Sequence, residues 1–164
     1  MYLLDTQVVL ELRKAKAGQT DAGLVAWGTG VSRQNLFLSA LSLVELGNGA
    51  TRMEKQDKAA AAALRAWIDD QVMRAFEGRI LPVDALVVRR RAQIGLTDSR
   101  DALLAATAIE HGLTLVTRQT AAFKGARVKL FNPWGYTPED EQDSDWRQAA
   151  RTGPLWLKNL FVRA

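Results

Sequence analysis

The chain has no cysteine, so neither a disulfide framework nor a thiolate metal site can form, and a reducing compartment, the cytoplasm, is the expected location. Histidine is almost as scarce. His111 stands alone, at an expected helix end where a dipole interaction accounts for it, and it belongs to no triad. No run reaches the roughly 18 apolar residues of a membrane span, and Met1 to Asp5 carries no basic leader, so no membrane association or export is expected. Neither G-x-x-x-x-G-K-[ST] nor a well-placed G-x-G-x-x-G occurs, which argues against phosphate-loop and dinucleotide sites; Trp27-Gly28-Thr29-Gly30 reads as a turn. Asp5-Thr6-Gln7 lacks the second acid of a D-x-D pair, and no paired acids follow a strand elsewhere. A phosphoryl-transfer or phospho-acceptor domain is therefore disfavoured.

What remains is an ordinary globular composition, 48% apolar and 24% charged, in 164 residues, a length that one core can serve without staples. The net charge is +4, and the acids are unevenly placed, since five of them crowd between Glu139 and Asp145. Residues 1–134 hold 18 basic against 13 acidic residues, a balance that suits a polyanionic partner.

Leu3-Leu4 reads as a short buried strand, and Val8, Val9 and Leu12 follow at helical spacing. Leu36-Phe37-Leu38 is a second apolar run, and Ser42-Leu43-Val44-Glu45 has the S-x-x-E form of a helix-opening capping box. Thr51 to Phe76 predicts one long helix or a hairpin of two, stopped at Gly78. Ile80 to Val83 is extended, with Pro82 arguing for an edge, and a helix is expected from Ala85 to Ile94. Thr97-Asp98-Ser99 offers caps for a helix from Asp101 to Glu110 that ends at Gly112. Leu113 to Thr117 and Val128 to Phe131 are further strands. Strands alternating with helices predict a three-layer α/β/α fold around a mainly parallel sheet, with ligands beyond the carboxyl ends of its strands.

Asp5, Glu45 and Asp101 each stand just beyond a strand or at a helix entrance, and Gln119 follows the strand ending at Thr117. An ordinary structural role is open to each acid. Asp5 could cap the first helix, Glu45 could close the Ser42 capping box, and Asp101 could do the same for an Asp98 cap. Together they suggest one crevice. Carboxylates gathered there repel one another unless a cation lies between them, and hard oxygen ligands suit Mg²⁺, or Mn²⁺ in its place. Such a metal can activate water and neutralise charge on a phosphodiester.

Leu3-Leu4-Asp5-Thr6-Gln7-Val8 resembles the opening L-D-T-N-V of PIN-domain toxins, and Leu38-Ser39 through Val44-Glu45-Leu46 resembles their second motif. Asp101-Ala102-Leu103-Leu104-Ala105-Ala106-Thr107-Ala108 is similar to D-A-L-I-A-A-T-A, and Gly112 to Arg118 is similar to the G-L-T-L-V-T-R that follows. Phe131-Asn132-Pro133-Trp134 resembles the usual ending of the FitB-like branch. The ordered set spans residues 1–134 and marks a resemblance to the VapC-type toxins of the PIN-domain family. That resemblance implies a Mg²⁺-dependent endoribonuclease of a toxin–antitoxin pair, a homodimer, inhibited by a small antitoxin laid across its groove. It implies Asp5, Glu45 and Asp101 as the acidic ligands, with Thr6 in support. Gln119 departs from the family's Asp or Asn, and Gln7 from its Asn. The alternative is accordingly a non-catalytic PIN-fold module that binds RNA or a protein. Asp98 could compensate for Gln119, although its position is that of a cap.

Arg118 is a candidate phosphate contact, whereas Arg89-Arg90-Arg91 reads as solvated surface. Trp27 and Trp67 read as core or dimer-interface anchors. Residues 135–164 are expected to form an acidic linker and a C-terminal appendage. Its last stretch, Gly153 to Ala164, has the apolar anchors and terminal arginine of a groove-filling segment, and could cover the protein's own crevice, a partner's, or simply pack on the domain.

Overall fold

The computed structural model describes residues 1–15 and 18–138. The acidic stretch and apolar C-terminal segment, from residue 139 onward, lie outside the described residues. Five strands, β1 (Tyr2–Leu4), β2 (Leu36–Ser39), β3 (Ile80–Leu81), β4 (Thr114–Val116) and β5 (Leu130–Phe131), pair in the order β3-β2-β1-β4-β5, all parallel. The chain builds outward from β1 in one direction through β2 and β3, then returns to the other side of β1 with β4. The gap between β1 and β4 is thus the topological switch point, the place where parallel sheets of this kind open a crevice.

Period-two alternation decides which face each strand residue serves. Leu4, Leu36, Leu38 and Val116 point into one core with α1 (Thr6–Lys14), α2 (Ala22–Gly30), α3 (Ala40–Glu54) and α4 (Lys58–Trp67). Leu3 and Leu115 point into a second core with α6 (Ala85–Arg91) and α7 (Ser99–Glu110). Both faces of the sheet are therefore covered, giving the expected three layers. After α4 the chain continues through a π-helical turn, Ile68–Val72, into the single turn α5 (Met73–Ala75). Asp57, whose side chain accepts from the Ala60 N–H at 2.9 Å, separates α3 from α4, so the Ala-rich stretch is a hairpin of two helices. Gly78 (φ +69°) and Gly112 (φ +64°) take the left-handed conformation expected of helix stops.

Two local expectations are corrected. The helix after β2 opens at Ala40, with the Ser39 hydroxyl accepting from the Leu41 N–H, so Ser42 is no cap; it lies inside α3, fully buried. The Trp27–Gly30 stretch is likewise no turn but the end of α2. Asp21 caps that helix by accepting from the Leu24 N–H at 3.0 Å and also accepts from the Gly135 N–H at 3.0 Å. Gly23 is required by this close approach, because a Cβ there would collide with the backbone of Gly135 and Tyr136. Helix propensity, poor in so glycine-rich a segment, yields to tertiary packing. Trp27 is buried between Tyr2 and Phe131, and Trp67 is buried beneath Arg13.

The two hydrogen bonds, from Gly135 first and then Leu24, hold the Asp21 carboxyl below its usual pKa. A lowered folded value means stabilisation that is complete above the ordinary carboxylate pKa and is lost as pH falls through the lowered one. Asp21→Ala is expected to cost about 1 kcal/mol at neutral pH, and the difference should shrink in strongly acidic solution, where the neutral carboxyl is a weaker acceptor. Urea unfolding of both chains across that pH range measures it.

Candidate active site

Asp5 follows β1, the central strand, and its backbone N–H donates to the Val116 carbonyl at 3.0 Å. It occupies the N-cap position of α1 but makes no side-chain cap bond. Its carboxylate, on a residue 2% exposed, turns instead into the gap between β1 and β4. There Thr117, fully buried just past β4, donates its hydroxyl to Asp5 Oδ2 at 2.7 Å and accepts the Gln119 N–H at 3.1 Å. The switch point is thus closed at its base by a hydrogen bond that fixes one carboxylate. Thr117→Val, which keeps the shape but leaves a buried carboxylate oxygen and an N–H without this partner, is expected to cost about 1–3 kcal/mol. Thermal unfolding of the two chains would register it as a lower midpoint.

Glu45 projects from α3 and Asp101 from the first turn of α7. Both meet the same group. Arg100 Nε donates to Glu45 Oε1 at 2.6 Å and Nη2 to Glu45 Oε2 at 3.0 Å; Nη1 reaches Asp101 Oδ1 at 2.6 Å, and Nη2 also pairs with Asp5 Oδ1. Thr6 donates its hydroxyl to Glu45 Oε2. One guanidinium therefore joins three carboxylates from three separate elements. Burial by itself lowers the Arg100 pKa, but the hydrogen bonds it donates to Glu45 and Asp101, with the charge and hydrogen-bond acceptance of Asp5, outweigh it and raise the pKa above its ordinary value. The group is a permanent cation, and it leaves the cluster with a net charge of about −2 when the carboxylates are ionised.

None of the three acids serves the capping role open to it. Asp5 makes no cap bond, Glu45 has no Ser42 cap to reciprocate, and the Asp101 carboxylate binds Arg100. Asp98 is the cap of α7, accepting from the Asp101 N–H at 2.9 Å. The acids line a crevice of about 400 Å³ that also receives Thr6, Gln7, Asp98, Arg100, Gln119, the apolar Leu10, Leu46 and Leu64, and Arg52. Gln119 is exposed at this crevice and opens the short helix Thr120–Phe123. Arg118 instead lies over the Trp134 ring, 5.6 Å from its centroid, and Arg90 pairs with Glu110 at 3.0 Å. His111 is the exposed C-cap of α7.

Arg100 belongs to none of the motifs that mark the acids in the sequence. A signal was available in its position: a cation in the first turn of a helix works against the helix dipole and calls for an anionic partner elsewhere. Among the described residues no group of three His, Cys, Asp or Glu side chains is disposed, as it stands, to hold a metal ion. The donor set nevertheless fits a hard divalent cation, with oxygen ligands only and three carboxylates already gathered about one positive group.

An open parallel α/β sheet carrying an acidic crevice at its topological switch point is the class of protein that these features define. The PIN domain matches residues 2–127, and the chain belongs to the PIN-domain family. Toxin FitB of Neisseria gonorrhoeae (strain ATCC 700825 / FA 1090) is 34% identical over 142 residues, which cover 82% of this chain and 99% of that protein. VapC ribonuclease Y4jK of Sinorhizobium fredii (strain NBRC 101917 / NGR234) is 31% identical over 142 residues, covering 82% and 98%. Among solved structures, FitAcB from N. gonorrhoeae superposes with a TM-score of 0.73 at 33% identity, covering 82% of this chain and 99% of that one. VapBC2 from Rickettsia felis, at 17% identity and a TM-score of 0.58 over 80% and 97%, shares the fold.

Proposed function

We propose that this chain is a divalent-metal-dependent endoribonuclease, the toxin of a toxin–antitoxin pair. The observation that carries the proposal is the convergence of Asp5, Glu45 and Asp101 on one cation in the switch-point crevice, in a family whose relatives here include a named toxin and a named ribonuclease. In this reading the three carboxylates hold Mg²⁺, or Mn²⁺ in its place. When bound, that ion would supply charge neutralisation at the scissile phosphodiester and a more acidic water. The chain's own part is to hold the ligands still. Thr117 fixes Asp5 and Thr6 fixes Glu45, so neither carboxylate has to be ordered when substrate arrives. Gln119 at the crevice offers an amide to water or RNA but no charge. Arg52 in the crevice lining and Arg118 outside it supply positive charge for flanking phosphates.

A small antitoxin is the proposed partner, lying across the crevice, with the working toxin a cytoplasmic homodimer. Residues 1–134 form the catalytic domain in this proposal, and residues 135–164 an appendage to it. Gln119, neutral where the resemblance expects an acid or Asn, favours the second reading, a PIN-fold module that binds RNA or protein without cutting. No helix among the described residues is long and apolar enough to cross a membrane. The test is cleavage of a panel of structured RNAs by purified protein in Mg²⁺, Mn²⁺ or EDTA, beside a folded Asp101→Asn variant. Cuts that need metal and are lost in the variant support the nuclease. RNA that binds and stays intact in every condition supports the module.

A further inference from the structure

The same guanidinium that offsets part of the charge of the acidic cluster stands where, on the metal-dependent reading, a divalent ion would go. Its nitrogens engage Glu45 through both carboxylate oxygens, Asp101 through Oδ1 and Asp5 through Oδ1. The second Asp5 oxygen is taken by Thr117, and one Glu45 oxygen also accepts from Thr6. An ion that drew on all three carboxylates at the usual short metal–oxygen distance of about 2.1 Å would sit within a few ångströms of the Arg100 nitrogens, and like charges so close in a half-buried crevice repel strongly. We propose that Arg100 and a divalent cation are mutually exclusive occupants of the point between Asp5, Glu45 and Asp101, so that Arg100 sets the metal concentration at which the site loads. This inference rests on the metal-dependent reading above.

Three features let the exchange occur without refolding. Arg100 belongs to the first turn of α7, held by the Asp98 cap through the Asp101 N–H rather than by its own side chain. Its side chain is 29% exposed and lines the open crevice, so it can swing outward by side-chain rotation. The carboxylates keep their threonine partners when it leaves, Thr117 on Asp5 and Thr6 on Glu45. Arg100 is thus a tethered stand-in for the ion. Without metal it relieves the mutual repulsion of the acids; with metal it is the competitor that must be displaced.

Calorimetric titration of Mn²⁺ into metal-stripped wild type, Arg100→Ala and Arg100→Gln, at one pH and ionic strength, tests the competition. Both variants are expected to bind Mn²⁺ at least about tenfold more tightly than wild type, the factor that a difference near 1.4 kcal/mol produces. Equal or weaker binding by folded variants overturns the competition and leaves the metal reading standing. Absence of Mn²⁺ uptake by all three chains overturns both. Should the variants fail to fold, the wild-type chain suffices. Its Arg100 Nε–H nuclear magnetic resonance, assigned through bonds from the Arg100 backbone in the wild-type chain itself, is expected to lose its protection from solvent exchange as Mg²⁺ saturates the site. A resonance that stays protected while Mg²⁺ binds contradicts the exchange.

Discussion

Asp5→Asn is expected to lower the rate of metal-dependent RNA cleavage by about a hundredfold or more while leaving the chain folded. Asn matches the shape of Asp and removes the charge. At this position the amide nitrogen faces either the Arg100 guanidinium, where a donor meets a donor, or the Thr117 hydroxyl, which now donates to Asp5 Oδ2 at 2.7 Å and would have to turn and accept instead. On the proposed metal-dependent reading one ligand charge is lost, and the other two carboxylates keep their partners, Thr6 and Arg100 for Glu45 and Arg100 for Asp101. Changes one layer further out at metal sites typically cost about 10–100-fold in affinity or activity, and loss of a direct ligand is expected to reach at least the upper end. Single-turnover cleavage over a range of Mg²⁺ concentrations, with circular dichroism to confirm folding, measures the loss. Unchanged cleavage would remove Asp5 from the chemistry.

The second large effect is on stability. Leu4→Ala is expected to destabilise the fold by about 2–5 kcal/mol and to lower the unfolding midpoint by roughly 10 °C, since each kcal/mol moves a domain of this size by about 2–4 °C. Leu4 is fully buried on the central strand, in the core it shares with Val8, Leu24, Trp27, Leu38 and Val116. Truncation leaves a void between sheet and helices that rigid neighbours on every side can close only in part. Leu86→Ala is the matched control. That side chain is 54% exposed on α6, and its loss should fall within about 0.5 kcal/mol of neutral. Scanning calorimetry of the three chains separates the two cases.

Strand positions were legible in the sequence because burial on both sides of a parallel sheet writes short apolar runs, and Leu3-Leu4 and Leu36 to Leu38 are such runs. Helix stops at Gly78 and Gly112 were legible because a left-handed residue favours glycine. The misreadings share a cause. Ser42 satisfies a local capping pattern, yet Ser39, three residues earlier, is where the chain leaves β2 and needs a cap. Trp27 to Gly30 has turn composition, yet it is the end of a helix that Asp21 caps and that Gly135 and Tyr136 approach at Gly23, contacts that no local pattern records. At the site, the three acids could be read as following strands and opening helices, and the structure brings their carboxylates to one group. The Arg100 contacts could not be read, since they span 95 residues to Asp5 and 55 to Glu45 and no local pattern records them. Gln119 stands at the crevice, as its place after β4 implied, whereas Arg118 turns away to Trp134.

Anomalous scattering can locate an ion held at the point between Asp5, Glu45 and Asp101. Crystals of the wild-type chain grown with Mn²⁺, at a concentration that supports RNA cleavage, are expected to show one strong anomalous peak between Asp5, Glu45 and Asp101, with the Arg100 side chain turned out of the cluster. Cleavage-competent Mn²⁺ with no peak there, or a peak elsewhere while Arg100 remains bound to all three carboxylates, would contradict that placement.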